Sequence, residues 1–284
     1  MNEAHSNGPA IEGDAAARLM APLTDLVIRA GAAILAVNRG AMRIDDKGDG
    51  SPVTEADLAA DRIIAEGLAR LVPEIPTLSE ERVHLARPPY DGSYFLTDPL
   101  DGTKEFIAGR SEFTINLALV TNGTPVLGII GAPALGMVWR GLVGRGAERL
   151  TKEGSVVEPI RTRSHPGGGD PWIVAVSRSH ADSRTEAFIA RRPGAIREVL
   201  GSAVKFGRVA EGRADIYPRL APTSEWDVAA GHAVVTAAGG KITDGHGADL
   251  KFGRGRRGAD GQPGFIVPEF IAWGDPEASA RARY

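Results

Sequence analysis

The stretch Thr97–Phe106 (TDPLDGTKEF) admits few backbone paths. A predicted strand, Tyr94–Thr97, runs into Asp98. Pro99 then removes a ladder donor and fixes the turn. Asp101 follows Asp98 at a spacing of three, and a short helical turn is predicted from Gly102 and Thr103. Two carboxylates at the end of a buried strand repel each other, and a divalent cation between them is the least costly way to keep both ionised. Pro99 and Gly102 let the Leu100 carbonyl point at the same place. The free N–H groups of Gly102 and Thr103 offer an anion site beside it. Metal ligands next to a phosphate cradle suit phosphoryl transfer. The competing reading is a surface Asx turn, because Asp-Pro and Asp-Gly pairs are common turn chemistry.

What precedes this stretch reads as two helices. Leu19, Leu23, Leu26/Val27, Ala30, Ala33/Ile34 and Val37 recur at steps of three or four, which predicts one amphipathic helix closed by Gly40. Met42–Asp46 reads as a strand and Asp49–Pro52 as a loop. Thr54 reads as the N-cap of a helix over Glu55–Leu71. Ile75–Ser79 is a predicted strand leading into Glu80, and the Pro-rich Arg82–Asp91 an exposed loop. Beyond the central stretch, Thr114–Val120, Pro125–Ala132 and Met137–Val143 predict an antiparallel meander. The polar segment Thr151–Asp170 reads as a linker or hinge.

After it the pattern alternates. Strands Trp172–Val176, Ala195–Leu200 and Asp215–Tyr217 are interleaved with helices Asp182–Arg191, Ser202–Glu211 and Trp226–Ala238, as in an α/β layer. Strands Lys241–Thr243 and Phe265–Val267 are expected to close that sheet. The expected organisation is a disordered tail (1–13), an α+β half with the metal motifs (14–160) and an α/β half (161–284). Sites commonly lie where two such halves meet.

With 43% hydrophobic residues among 284, the chain can bury a full core. It has no cysteine, which excludes disulfides, thiolate metal sites and cysteine nucleophiles. A net charge of −3 sets up no field for a nucleic-acid polymer. The most apolar run, Pro125–Trp139, is broken by Gly128, Gly131, Pro133 and Gly136, short of the about 20 apolar residues of a spanning helix. Met1–Gly13 lacks the charge and apolar core of a secretory signal. A soluble, cytoplasmic protein is expected. The basic run Lys251–Arg257 (KFGRGRR) reads as a solvated loop; an acidic partner or a peripheral contact with the inner membrane's cytoplasmic face is its alternative.

Five acids stand at element ends: Asp57, Glu80, Asp98, Asp101 and Asp227. Each alone could be a helix cap or dipole partner. Trp226 buried beside an ionised Asp227 is costly unless that carboxylate meets a cation. Carboxylate and carbonyl oxygens without His or Cys suit Mg²⁺ rather than Zn²⁺.

SPVTEAD (51–57), LSEE (78–81), DPLDGTKEF (98–106) and EWDVAAGHAV (225–234) resemble, in order, the four signatures of the inositol monophosphatase superfamily of Mg²⁺-dependent, lithium-sensitive phosphatases. KEF (104–106), SRSHAD (177–182), GSAVKF (201–206) and YPR (217–219) bring the chain nearer to that superfamily's 3'(2'),5'-bisphosphate nucleotidases. The resemblance implies a layered αβαβα sugar-phosphatase-like fold. It implies two or three Mg²⁺ ions held by Glu80, Asp98, the Leu100 carbonyl, Asp101 and Asp227. Thr103 and Glu80 would hold and deprotonate the attacking water, with Asp57 supporting the water or a weaker third metal. Leu100–Thr103 and Asp227 would bind the scissile phosphate, and His180, Ser202, Lys205 and Arg219 the nucleotide. Ser202 and Lys205, three apart, are expected on one helix face. Lys205 and Arg219 can neutralise a second phosphate that an inositol monophosphate lacks.

The substrate implied is adenosine 3',5'-bisphosphate (PAP), with its sulfated form PAPS, in sulfur assimilation. The alternatives are inositol monophosphate or fructose 1,6-bisphosphate and, in another class, a catalytically idle metal-binding regulator. Oligomeric state is left open.

Overall fold

The computed structural model describes residues 9–46, 52–86, 88, 90–151, 156–165, 170–179, 182–257 and 263–281. The first long element, α1 (Gly13–Ala36), buries the stripe Leu23, Leu26, Val27, Ala30 and Ile34. Its composition would suit a membrane span; here that apolar stripe faces the sheet described below. Ahead of it, Ile11 is buried rather than part of a loose tail. Its N–H donates to Ser93 Oγ (2.8 Å) and its carbonyl accepts from Thr121 Oγ1 (3.0 Å). Residues 1–8 and most of the loop expected at 49–52 lie outside the described residues.

A small hairpin, β1 (Ile44–Asp46) and β2 (Pro52–Thr54), leads into α2 (Glu55–Leu71). Thr54 caps α2 as its sequence predicts. The Asp57 carboxylate closes the box by accepting from the Thr54 N–H (2.8 Å) and hydroxyl (2.6 Å). After β3 (Thr77–Ser79), a 3₁₀ segment (Glu80–Leu85) takes the place of the first part of the expected loop. Then follow β4 (Ser93–Asp101), α3 (Thr103–Ile107), β5 (Thr114–Thr121), β6 (Thr124–Ala132), β7 (Met137–Leu142), β8 (Gly146–Thr151) and β9 (Val157–Ile160). They form one sheet in the order β3-β4-β5-β6-β7-β8-β9, antiparallel except between β3 and β4. Asn122 and Gly123, both at positive φ, make the tight β5–β6 turn.

The meander therefore runs two strands further than its apolar pattern indicates, and part of the expected linker is β9. These edge strands carry charge where a core strand would carry alternating apolar residues. Arg140 faces Glu148, and Arg149 faces Glu158, across the ladder.

The second half comprises β10 (Ile173–Ser177), α4 (Ser183–Ala190), β11 (Ile196–Leu200), α5 (Val204–Ala210), β12 (Ile216–Arg219), β13 (Thr223–Ser224), α6 (Glu225–Ala237) and β14 (Lys241–Thr243). It ends with β15 (Arg256–Arg257), β16 (Pro263–Gly264), β17 (Ile266–Val267), β18 (Phe270–Trp273) and α7 (Pro276–Arg281). The second sheet has the order β11-β10-β12-β18-β14. The strand expected at Phe265–Val267 does not join it: β17 pairs with β13. Its place is taken by β18, four buried residues (FIAW) without alternation to mark them.

Five layers result: α1 and α2, the seven-stranded sheet, α5 and α6, the five-stranded sheet, and α4 with α7. Three clusters of buried side chains fill the spaces between them. The shared layer is tight. A Cβ on Gly128 in β6 would collide with the Ala230 carbonyl of α6, and one on Gly141 in β7 would stand 2.8 Å from Ala237 Cβ. The helix that follows the presumed linker thus packs on the sheet that precedes it, so the halves share one core.

His232 in α6 is buried edge-on against Phe252 (5.7 Å, 83°), and its Nδ1 has no hydrogen-bond partner. Burial pushes its pKa down to about 4, with Asp249 opposing and Lys251 reinforcing the shift. The unfolded chain therefore binds the proton first, so this contribution is complete above about pH 6.5 and is lost as pH falls toward 4. Stability of the wild type is expected to fall by up to about 3 kcal/mol over that window from this group alone. His232→Leu should flatten that limb in denaturant titrations; an unchanged slope would exclude His232 as its source.

Candidate active site

Strand β4 delivers Asp98 and Asp101 to one point because its ladder with β5 breaks between them. The Leu100 N–H donates to Asp98 Oδ1 (2.9 Å), so the Asx turn is present. It lies at the floor of a cleft rather than on the surface, with Asp98 buried. From the opposite layer, the first turn of α6 brings Asp227, held by the Thr223 hydroxyl and by the Ser224 N–H at 3.2 Å. One carboxylate oxygen from each of Asp98, Asp101 and Asp227 falls within 4.8 Å of the others. Glu80, at the start of the 3₁₀ segment, lines the same cleft.

The electrostatics match this crowding. Burial, and then the charge of Asp227, pushes Asp101 up to about 6. Asp227 is raised by burial and by Glu80, against the lowering effect of its hydrogen bond from Thr223. Such a set keeps its charges only with a cation among them. The donors are all hard oxygens, and a hard divalent ion fits them.

Thr103, expected from its sequence to share a water with Glu80, instead has its hydroxyl 2.9 Å from Asp57 Oδ1 and 3.2 Å from the Leu100 carbonyl. The reason is local. Asp57 spends Oδ2 on the α2 cap, which aims Oδ1 at α3. Gly102 sits at φ +92°, and a Cβ there would collide with Ser202 Oγ. The backbone turn from Leu100 to Thr103 can therefore lie against the second half.

The cleft has a volume of about 640 Å³. Its far wall carries Lys205, Arg219 and Tyr217, and its rim Trp226, Phe265 and Ile266. Lys205 is not the solvated lysine an isolated helix would carry. It is buried, its Nζ donates to the Ser202 carbonyl at 2.6 Å, and it lies 5.1 Å from the Tyr217 ring centroid. Burial lowers its pKa to about 8. Arg219 donates from Nη2 to the Pro222 carbonyl (3.4 Å), while its Nε is buried without a partner.

Ser202 departs from expectation. It precedes α5, at φ +46°, rather than sharing a helix face with Lys205. Its hydroxyl lies 2.9 Å from the Asp101 carbonyl and 3.0 Å from that of Glu112, which commits it to joining the two halves. His180 lies outside the described residues. The basic run from Lys251 turns largely inward: Phe252 is fully buried, Lys251 donates to Thr124 Oγ1 (3.2 Å) and Arg254 lies 3.8 Å from Asp91.

Two acids that the sequence offers no reason to single out also reach this region. Glu105 accepts from Ser179 Oγ at 2.6 Å, and Glu112 from Arg178 and the Gly201 N–H. Their partners lie 66–89 residues away, so no local spacing announces them.

The inositol monophosphatase family profile matches residues 16–270. The 3'(2'),5'-bisphosphate nucleotidase CysQ of Escherichia coli O157:H7 is 42% identical over 236 residues, which are 80% of this chain and 91% of that protein. The protein of the same name from Haemophilus influenzae is 31% identical over 237 residues, 82% of this chain and 84% of its own. Among solved structures, CysQ from Bacteroides thetaiotaomicron superposes with a TM-score of 0.71 at 31% identity, covering 90% of this chain and 97% of its own. An inositol monophosphatase from Thermotoga maritima gives 0.70 at 25% identity, covering 91% and 93%.

Because the carboxylates repel, Mg²⁺ should raise the melting temperature of EDTA-treated protein. At about 100 times the dissociation constant the stabilisation is about 2.7 kcal/mol. Asp227→Asn should lose most of that rise and, metal-free, should be at least as stable as the parent. An equal rise in the variant would remove Asp227 from the ion's ligands.

Proposed function

The chain belongs to the inositol monophosphatase family, and from that premise we propose that it is a metal-dependent 3'(2'),5'-bisphosphate nucleotidase. It removes the 3'-phosphate of adenosine 3',5'-bisphosphate, giving AMP and phosphate, and acts on the sulfated analogue in the same way. In sulfur assimilation it would clear this nucleotide. A small-molecule substrate and a cytoplasmic setting belong to the same reading. So does Mg²⁺, as two or three ions on Glu80, Asp98, the Leu100 carbonyl, Asp101 and Asp227.

One observation supports the bisphosphate over a monophosphate. A buried lysine and a part-buried arginine, Lys205 and Arg219, line the same cleft as the carboxylate cluster. Burying the ammonium of Lys205 is costly unless an anion joins it. Asp101 supplies part of that charge. A second phosphate would supply the remainder and would occupy the wall opposite the scissile one. An inositol monophosphate brings no such group.

When bound, Mg²⁺ supplies an acidified water and charge neutralisation at phosphorus. The chain's own residues do the rest. The Thr103 hydroxyl, polarised by Asp57 Oδ1, is placed to orient a water and relay its proton toward Asp57. Asp57 stays rigid because its other oxygen is fixed in the α2 cap. The Gly102–Thr103 turn holds the scissile phosphate through backbone N–H groups. The Trp226–Phe265 rim excludes water from the reacting face and offers an apolar surface to the nucleoside.

Phosphate release from adenosine 3',5'-bisphosphate, inositol 1-phosphate and fructose 1,6-bisphosphate, measured in parallel, tests the reading. The nucleotide should be preferred by at least about tenfold in kcat/KM, one lost charge-assisted hydrogen bond being worth about 1.5–3 kcal/mol. Lys205→Met should erase most of that preference. Preference for either sugar phosphate would overturn the substrate assignment while keeping the metal site. Asp57→Asn should lower kcat by at least about 100-fold with little change in KM, as loss of a positioned base does. A variant with normal kcat would contradict the Thr103–Asp57 assignment.

A further inference from the structure

The cation wall and the carboxylate cluster sit on different layers, and a nucleotide that spans them needs their separation held. The polar seam between residues 101–114 and residues 178–203 holds it, with one side chain at its centre. Glu112 Oε2 accepts from Arg178 Nη2 (2.7 Å), Arg178 Nε (3.2 Å) and the Gly201 N–H (2.9 Å). The Glu112 carbonyl is 3.0 Å from Ser202 Oγ, which is also 2.9 Å from the Asp101 carbonyl. A Cβ on Gly201 would stand 2.6 Å from that same Glu112 carbonyl, so only glycine lets the strands approach. Ser202 is held at φ +46°, a conformation non-glycine residues adopt only when their surroundings impose it. Its carbonyl in turn receives Lys205 Nζ at 2.6 Å.

Resting on the nucleotidase reading above, we infer that Glu112 is a positioning residue for the second phosphate. Its carboxylate pins the Gly201–Ser202 turn to the Asp101–Gly102 turn, and through the Ser202 carbonyl it sets the Lys205 ammonium at a fixed distance from the metal ligands. Glu112 itself touches neither metal ligand nor substrate. Its carboxylate takes three N–H donors on one oxygen, a charge-assisted arrangement stronger than neutral bonds of the same geometry. It also lies between two halves whose partners are far apart in sequence, so no local turn can substitute for it. Three consequences follow. Loss of the carboxylate should loosen the turn, should weaken binding of a substrate with two phosphates, and should spare one that carries only the reacting phosphate.

The test uses full-length protein with Mg²⁺ and compares the wild type with Glu112→Ala and Glu112→Gln. Substrates are adenosine 3',5'-bisphosphate and 3'-AMP, and amide exchange is followed over 200–205. For Glu112→Ala, KM for the bisphosphate should rise about tenfold with kcat within about twofold, and KM for 3'-AMP should not move. The Gly201 amide should exchange faster. Glu112→Gln, which keeps an oxygen to accept from Gly201, should restore most of the lost affinity. Equal losses on both substrates, or unchanged protection over 200–205, would overturn the inference and leave Glu112 a structural residue. If the alanine variant fails to fold, the glutamine variant together with Arg178→Ala carries the same comparison: a bisphosphate-selective rise in KM for Arg178→Ala supports the seam, and none overturns it. Failure of the nucleotidase reading looks different. The wild type itself would then show no preference for the bisphosphate over 3'-AMP, and the inference would fall with it.

Discussion

Mutual repulsion among buried carboxylates is the constraint around which this molecule is arranged. Asp98 and Asp101 come from the broken end of β4, and Asp227 from the first turn of α6, an element on the other side of the sheet. Bringing them within 4.8 Å costs free energy that the protein alone does not recover. The layers supply the rigidity. Glycines in β6 and β7 let α6 press onto the sheet, and the caps at Ser224 and Thr54 fix Asp227 and Asp57 by their own backbone bonds. Acidic residues at N3 of a helix are usually explained by capping alone. In this chain both N3 aspartates cap and also present an oxygen to the cleft.

Much of that was legible in the sequence, and the reasons are local. A strand ending in Asp-Pro-Leu-Asp-Gly announces a turn that crowds two acids, and Thr54 followed by Glu55 and Asp57 announces a capped helix. The periodicity of α1 and α2 and the alternation of β5 to β7 lie within short windows. What was hidden depends on distance. The Thr103–Asp57 pair joins residues 46 apart and follows from which oxygen the cap leaves free. The edge strands β8 and β9 escape because cross-strand ion pairs replace apolar alternation. The strand β18 escapes because four buried residues carry no period. Glu112 stands alone between Ser111 and Phe113 with no partner at a telling spacing, so only the fold reveals it.

Specificity in this architecture arises from the seam between halves rather than from either half. The first half holds the metal ligands and the water-positioning pair, while the second holds the buried cation. A phosphatase for a single phosphate needs only the former. A second phosphate at a fixed distance demands that the two be registered, and the Ser202 and Glu112 contacts do that across 89–101 residues of sequence. The shared helix layer makes the registration stiff, since α5 and α6 pack on both sheets through one cluster of buried side chains.

The central claim is that this carboxylate cluster and its ion cleave one particular phosphate ester. Phosphorus NMR of adenosine 3',5'-bisphosphate during turnover tests it most directly. The account requires the 3'-phosphate resonance to be replaced by inorganic phosphate while the 5'-phosphate remains, with Mg²⁺ present and not with EDTA. Loss of the 5'-phosphate first, or cleavage that continues in EDTA, would contradict it.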